Sequence, residues 1–515
     1  MQPGFPRRRS LQLWALLALA MVIASYAFLL LIAASCVYVP YLIIMSTDAG
    51  IQTLIVGLCG IAIAVAIVWS LIPRTDKFEA PGPTLDHSSH PRLFAELENI
   101  ADALEEPLPD EVFMIPQANA FVADRGGTLG IGYRRVMGIG LPLVAIMTRA
   151  EFRAVLAHEF AHYYGGDTRL GPWVYKTRMA MVRAIQNLAS MRGWMRIAVA
   201  QLVYGLVFAV IAAYWKLFFR ATQLVSRRQE YRADELACHI AGSKALITGL
   251  KKVHAANTAF PAYWNFEVAP FLSLGYRPPI AEGFGLFVQA PEVSKQIEEH
   301  AAKELSQPKT SAYDSHPPLR DRIAAAKLFE DENRDQMSEP ALSLFGDFLN
   351  EEVRILSWKN SSAQVQSLKP LPWENLAASL PQMWRDVLQK NTQCLGEYTT
   401  DALPDAATKM AEIGSRIPDP KGMLLAPQQR TARAAELFGT ALALAVSDAG
   451  WRLHMQPGER YFQVGEERVS IRELMDRLLS NKVSREEWAE RCRTLKISGV
   501  RLAGQAASAA ASDSA

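Results

Sequence analysis

Thr148-Arg149-Ala150-Glu151-Phe152-Arg153-Ala154-Val155-Leu156-Ala157-His158-Glu159-Phe160-Ala161-His162 settles how the middle of this 515-residue chain folds. Thr148 and Glu151 form a T-x-x-E capping box, in which hydroxyl and carboxylate satisfy free backbone N–H groups, so a helix begins near Thr148. Gly165-Gly166 offers a C-cap. On such a helix His158 and His162, at i and i+4, lie on one face one turn apart, where two imidazoles can hold one metal ion. Glu159 sits beside that face, placed to take the proton of a water that the ion activates. Two surface histidines with a solvated glutamate is the plainer reading. The apolar Val155-Leu156-Ala157 run and the framing by cap and glycine pair count against it.

A catalytic zinc site needs three protein ligands and an open position, the third ligand coming from a second element. Glu230-Tyr231-Arg232-Ala233-Asp234 supplies it: Glu230 and Asp234 share a helix face, Glu230 as metal ligand and Asp234 as hydrogen-bond partner of a ligand histidine. Standing alone, the two acids would read as surface charge paired with Arg227, Arg228 and Arg232. His239, further along, reads as a packing or surface histidine. The expected complement is one Zn2+ per chain, held by His158, His162 and Glu230.

Around this core the apolar residues are unevenly spread. Leu11 to Met45 and Ile51 to Ile72 are almost free of charge, each long enough for a membrane helix of about 20 residues, with Ser46-Thr47-Asp48-Ala49-Gly50 as the turn between them. A transmembrane helical hairpin is the expectation. Arg7, Arg8, Arg9, Arg74 and Lys77 flank it, and the turn carries no basic residue, which places both ends in the cytoplasm. A signal peptide has a far shorter apolar region. Ala33-Ala34-Ser35-Cys36, faintly like a lipoprotein cleavage site, lies too deep and has a second span after it. A third apolar stretch, Ile197 to Trp215, poses a topological problem: a single crossing there would put His158 and Glu230 in different compartments. Arg178, Arg183, Arg192 and Arg196 make a second span just before it a poor one. A membrane-associated helix near 197–219 is expected, either dipping, lying along the bilayer or packing on the hairpin.

The formal net charge of +2 and the lack of a dense basic block give no support to a nucleic-acid partner. Five scattered cysteines without a C-x-x-C pair do not make a disulfide framework. Pro81-Gly82-Pro83 marks a linker. His90 to Glu105 has helical spacing, Val112 to Ile115 and Thr128 to Ile139 read as strands, and a helix follows Pro317-Pro318. Ser484 and Glu487 cap another near the end. The expected class is mainly α with a small β-sheet. Residues 1–77 would be the hairpin, 78–338 a zincin-like metalloprotease domain, 339–502 a mostly helical accessory domain and 503–515 a disordered Ala/Ser-rich tail.

H-E-F-A-H followed by E-Y-R-A-D resembles the membrane zinc metallopeptidases of the HtpX heat-shock protease and CAAX-prenyl protease type, over about residues 90–330. Gln117-Ala118-Asn119-Ala120-Phe121 is similar to that family's N-A-F segment, and Ser315-His316-Pro317-Pro318 to its S/T-H-P-P segment. By the resemblance, Asn119, Ala120 and Phe121 would belong to an edge strand that pairs with substrate backbone. His316 would stabilise the tetrahedral oxyanion beside Glu159 as the catalytic base. It also implies an integral protein of the bacterial inner membrane, its catalytic domain facing the cytoplasm, acting on protein substrates in or near the lipid bilayer in quality control. HtpX-type proteins carry a second hairpin between the metal motifs, whereas only one clear apolar stretch is visible here. The rival readings are a processing protease for lipidated C-termini, which the few spans disfavour, and a non-catalytic membrane scaffold, which would not need four intact site residues.

Overall fold

The computed structural model describes residues 9–46, 50–72, 78–126, 132–163, 171–191, 198–306, 317–329, 338–396, 398–417 and 426–503. His316, Gly165-Gly166, Arg74, Lys77 and the tail after Ala503 fall outside them. The chain forms two compact units, residues 1–258 with 298–359 and residues 259–297 with 360–515. The second unit therefore claims a stretch from within the span expected to be peptidase. Residues 338–359 stay with the first unit because Glu339 and Ala341 pair with the start of the helix at 149: Arg149 N–H donates to Glu339 O at 2.7 Å, and Ala341 N–H to Met147 O at 2.9 Å.

In the first unit, helices α1 (Arg9–Ser46) and α2 (Ile51–Leu71) form the expected hairpin. Leu19–Ser46 and Thr53–Leu71 are long and apolar enough to cross a membrane. Their contact is close because Gly60 has no side chain: a Cβ there would stand 2.0 Å from the Cys36 carbonyl oxygen. Small residues permit such backbone approach where no water drives helices together.

Strands β1 (Thr84–Leu85), β2 (Glu111–Ile115), β3 (Ala120–Arg125) and β4 (Arg134–Gly140) form one sheet in the order β1-β2-β4-β3. β2 and β4 run parallel; β3 pairs antiparallel with β4 and lies at the edge. Helix α3 (Pro91–Ala103) precedes β2. The short α4 (Leu141–Ile146) leads into α5 (Arg149–Ala161), which packs beside β3.

The third apolar stretch belongs to a second hairpin. Helix α6 (Gly171–Met191) runs against α2, and α7 (Ala198–Ala241) returns along α1, α2 and α6. Leu29, Ile63, Ile67, Met181, Leu188 and Ile211, drawn from all four helices, form one buried cluster. A helix thus partners 198–241, while among the described residues only Leu19–Ser46 and Thr53–Leu71 are long and apolar enough to cross a membrane, in keeping with the expectation of a poor second span before Ile197. Arg183 is accommodated because it donates to the Ser70 carbonyl at 3.1 Å, one of the last-turn carbonyls of α2 that have no intrahelical partner. Asn187 donates to Ser70 Oγ at 2.9 Å. At 44 residues α7 is ~66 Å long and carries the chain from the bundle to the peptidase core without a break. Helix α8 (Ser243–Tyr263) follows after Gly242.

The second unit is helical around Pro427–Asp448, whose Phe438, Leu442 and Val446 are fully buried with Trp488. The Ser484–Glu487 capping box forms as read. Its three-stranded antiparallel sheet (Arg452–Gln456, Glu459–Val464, Glu467–Val469) was not foreseen.

Candidate active site

The Thr148 box closes in both directions: Glu151 N–H donates to Thr148 Oγ1 at 3.3 Å, and Thr148 N–H to Glu151 Oε2 at 2.8 Å. Lys252 of α8 donates to the same Glu151 oxygen at 2.7 Å. Burial alone would raise the Glu151 carboxyl; the Lys252 ammonium and the Thr148 N–H outweigh it and hold it below the ordinary range. Glu96 of α3, with a fully buried side chain, accepts from Arg149 at 2.8 and 2.9 Å and from Arg153 at 2.7 Å. Phe152, Leu156 and Phe160 are buried on the same helix. The start of α5 is therefore fixed from three directions, and what it carries at its far end is held in place.

At that end are His158, buried, and His162, half-buried, their rings edge-to-face at 4.8 Å. The buried Glu230 and Asp234 of α7 face them. Glu230 Oε2 lies 3.5 Å from His158 Nε2, and Glu230 Oε1 lies 3.6 Å from His162 Nε2. Tetrahedral zinc ligands at ~2.0–2.1 Å stand ~3.4 Å apart. The three donors, all within 4.8 Å of one another, thus converge almost as a metal ion would hold them. Asp234 Oδ1 is 3.0 Å from His158 Nδ1, so the ring nitrogen it engages is the one turned away from Glu230. Burial and the Arg322 guanidinium press His158 toward its neutral form, but Asp234 and Glu230 outweigh both and carry its pKa up to about 9. A field that draws a proton onto a buried imidazole draws a dication by the same attraction. The donor set fits zinc.

Arg322, on the helix Leu319–Ala326, was missed by sequence reasoning. It grips Asp234 with two hydrogen bonds, Nε at 2.8 Å and one terminal nitrogen at 2.6 Å, and that nitrogen is 3.4 Å from both ring nitrogens of His158. Its other terminal nitrogen is 3.5 Å from Glu230 Oε2. The signal was its place six positions after His316, on the helix that Pro317-Pro318 launches. Arg232, which sequence offered as a partner for the acids, pairs with Glu235 at 2.6 Å. His239 is exposed and packs edge-on against Phe329.

Glu159 is half-buried next to His158, and its charge bears on Arg322. Asn119 is exposed just before β3, which begins at Ala120; Phe121 packs on Phe113, Ile115 and Val136. The backbone turn into β3 folds tightly over β4 because Gly140 has no Cβ, which would stand 2.3 Å from Gln117 O and 2.5 Å from Asn119 O.

Residues 87–329 match the model of peptidase family M48. The chain carries an M48 peptidase domain of the HtpX type. It is 26% identical over 257 residues to the protease HtpX homolog of Desulfatibacillum aliphaticivorans, covering 47% of this chain and 68% of that protein. It is 24% identical over 266 residues to protease HtpX of Actinobacillus pleuropneumoniae serotype 5b, covering 48% and 84%. To protease HtpX of Chromohalobacter salexigens it is 26% identical over 249 residues, covering 44% and 70%. No solved structure gives a significant match. An M48 domain of this type makes the protein a membrane-associated, metal-dependent peptidase.

Proposed function

We propose that the protein is a zinc endopeptidase of the bacterial inner membrane, its site facing the cytoplasm, that cleaves membrane or membrane-proximal proteins in quality control. The single observation that carries the reading is the convergence of His158 Nε2, His162 Nε2 and the two Glu230 oxygens at 3.5 and 3.6 Å. Zinc held there supplies Lewis acidity, polarising a peptide carbonyl and lowering the pKa of a water. Glu159 takes the proton of the attacking water and passes it to the leaving amine. Asp234 accepts from His158 Nδ1–H and so fixes the tautomer that leaves Nε2 free; Arg322 holds Asp234 in turn. His316 donates to the developing oxyanion. Asn119, Ala120 and Phe121 introduce β3, whose open edge receives the substrate in an extended form.

The packing of α6 and α7 on the α1–α2 hairpin supports the membrane reading, since it joins the apolar stretch of α7 to the bundle while His158 and Glu230 meet. The test is Glu159→Gln in the full-length protein. Metal analysis should return about one zinc per chain with wild type and variant alike, while cleavage falls by ~10²–10⁴. The membrane proteins that accumulate with the variant are its substrates. Undiminished cleavage refutes the assignment of the base, and a chain that binds no zinc is a scaffold.

A further inference from the structure

The pairing of β3 fixes which of its main-chain groups face outward. Arg135 of β4 lies opposite Asp124. Its N–H donates to Asp110 Oδ2 at 2.6 Å, and its carbonyl accepts from Asp110 N–H at 2.7 Å. Both Arg135 main-chain groups thus point toward the β2 side, away from β3. Opposed residues of an antiparallel ladder alternate between hydrogen-bonded and non-bonded pairs. Asp124 is in a non-bonded pair, so its own N–H and C=O turn to the open edge. With a period of two, Val122 and Ala120 do the same.

Tyr163, the residue after His162, stands at this edge. It is 6% exposed, the Arg135 guanidinium covers its ring at 4.1 Å, and its hydroxyl faces the Asp124 main-chain N–H. Arg135 is itself tied down, 3.3 Å from Glu106 and 3.7 Å from Asp124 Oδ1. The tyrosine cannot swing outward without breaking its stack on an anchored arginine.

We propose that Tyr163 is a stop for the substrate strand: its hydroxyl occupies the outward N–H of Asp124, so that an extended peptide pairs with Ala120 and Val122 and no further. This rests on the reading that β3 receives substrate. It makes Tyr163 a specificity-determining residue, limiting the length of peptide main chain that is read. Beyond the stop the substrate backbone goes unread, a property suited to an enzyme meeting many unrelated proteins.

Proline has no N–H and so is excluded from paired strand positions. Full-length wild type, Tyr163→Phe and Tyr163→Ala, each reconstituted in lipid vesicles, are given a proteome-derived peptide library, and cleavage sites are mapped by mass spectrometry. Wild type should show proline depleted at the positions facing Ala120 and Val122 and tolerated at the next paired position, two residues on. In the variants that next position should become depleted too, by about fivefold, the worth of one net hydrogen bond. Tyr163→Phe keeps the ring on Arg135 and carries the test where Tyr163→Ala fails to fold. Cleavage with an unchanged proline profile in the variants overturns the stop alone. No proline depletion anywhere in wild type overturns strand addition, and the stop with it.

Discussion

Replacing Asp234 by asparagine separates two tasks that its carboxylate performs. One oxygen engages His158 Nδ1 at 3.0 Å, and the pair of oxygens takes Arg322 at 2.6 and 2.8 Å. At a separation near 2.7 Å and an effective dielectric near 20, the Asp234–Arg322 attraction is about 6 kcal/mol before desolvation is charged against it. The variant leaves Arg322, with a side chain only 11% exposed, without its main counter-ion and 3.4 Å from the ring of His158, the proposed metal ligand. Breaking a buried pair costs ~3–5 kcal/mol of stability. Loss of the hydrogen-bond partner of a ligand histidine costs ~10–100-fold in metal affinity. Arg322→Met breaks the same pair but leaves Asp234 on His158. It should destabilise the protein by a similar amount and yet keep zinc affinity within about threefold of wild type, because the histidine is still oriented. The assay is competition for zinc against a chromophoric chelator, alongside thermal unfolding of the detergent-solubilised protein. Equal losses of affinity in the two variants, or none in Asp234→Asn, refute the claim that Asp234 acts on the metal through His158.

Three further outcomes follow from the scaffold. Glu96→Gln strips the buried carboxylate from Arg149 and Arg153 and should cost ~3–5 kcal/mol in thermal unfolding; a Tm within a degree of wild type would falsify its role as the anchor of α5. The lowered Glu151 pKa means that this group contributes stability above the unfolded carboxylate value of about 4.3, and that the contribution disappears as pH falls through the lower folded value. Lys252→Met removes an opposing charge, raises that folded value and should move the acid-unfolding midpoint upward; an unmoved midpoint counts against the ion pair. Gly60→Val places a Cβ where only 2.0 Å separates it from the Cys36 carbonyl oxygen, so α1 and α2 must part, and limited proteolysis of the membrane-inserted protein should become faster.

Much of the candidate site's geometry was legible because it is written in local spacing. A capping box, H-E-x-x-H and E-x-x-x-D each define one helix face within a few residues, and the side chains that matter lie on those faces. Arg322 escaped because its partner Asp234 is 88 positions away, and nothing near it in sequence reports that the gap closes. Glu96 escaped for the same reason: a buried carboxylate on a helix of ordinary amphipathic pattern looks like surface charge until Arg149 and Arg153 are seen to converge on it. The accessory sheet at 452–469 was overlooked because its strands are short, with Arg452, Glu459, Arg460 and Glu467 among them, and carry little apolar alternation.

The helical partner of α7 was the element least visible in the sequence. A scan for apolar runs discounts α6 for its arginines, treating each charge as if it faced hydrocarbon. Arg183 instead meets the carbonyl end of α2, where the helix leaves acceptors unsatisfied and the dipole is negative, so the charge sits where the bundle favours it. Once α6 is admitted, the length of α7 becomes intelligible. Tyr214 stacks on Phe28 and its hydroxyl meets Ser25, fixing that level of α7 inside the bundle. Glu230 lies about 24 Å further along the same unbroken helix, at ~1.5 Å per residue. A rigid rod thus sets the distance of the candidate metal site from the bundle, and α5 needs only to meet it there. A proline at Arg220, between the two levels, should uncouple them: zinc would be lost although every ligand remains, and retention of zinc by Arg220→Pro would show that the site is held by the peptidase core alone.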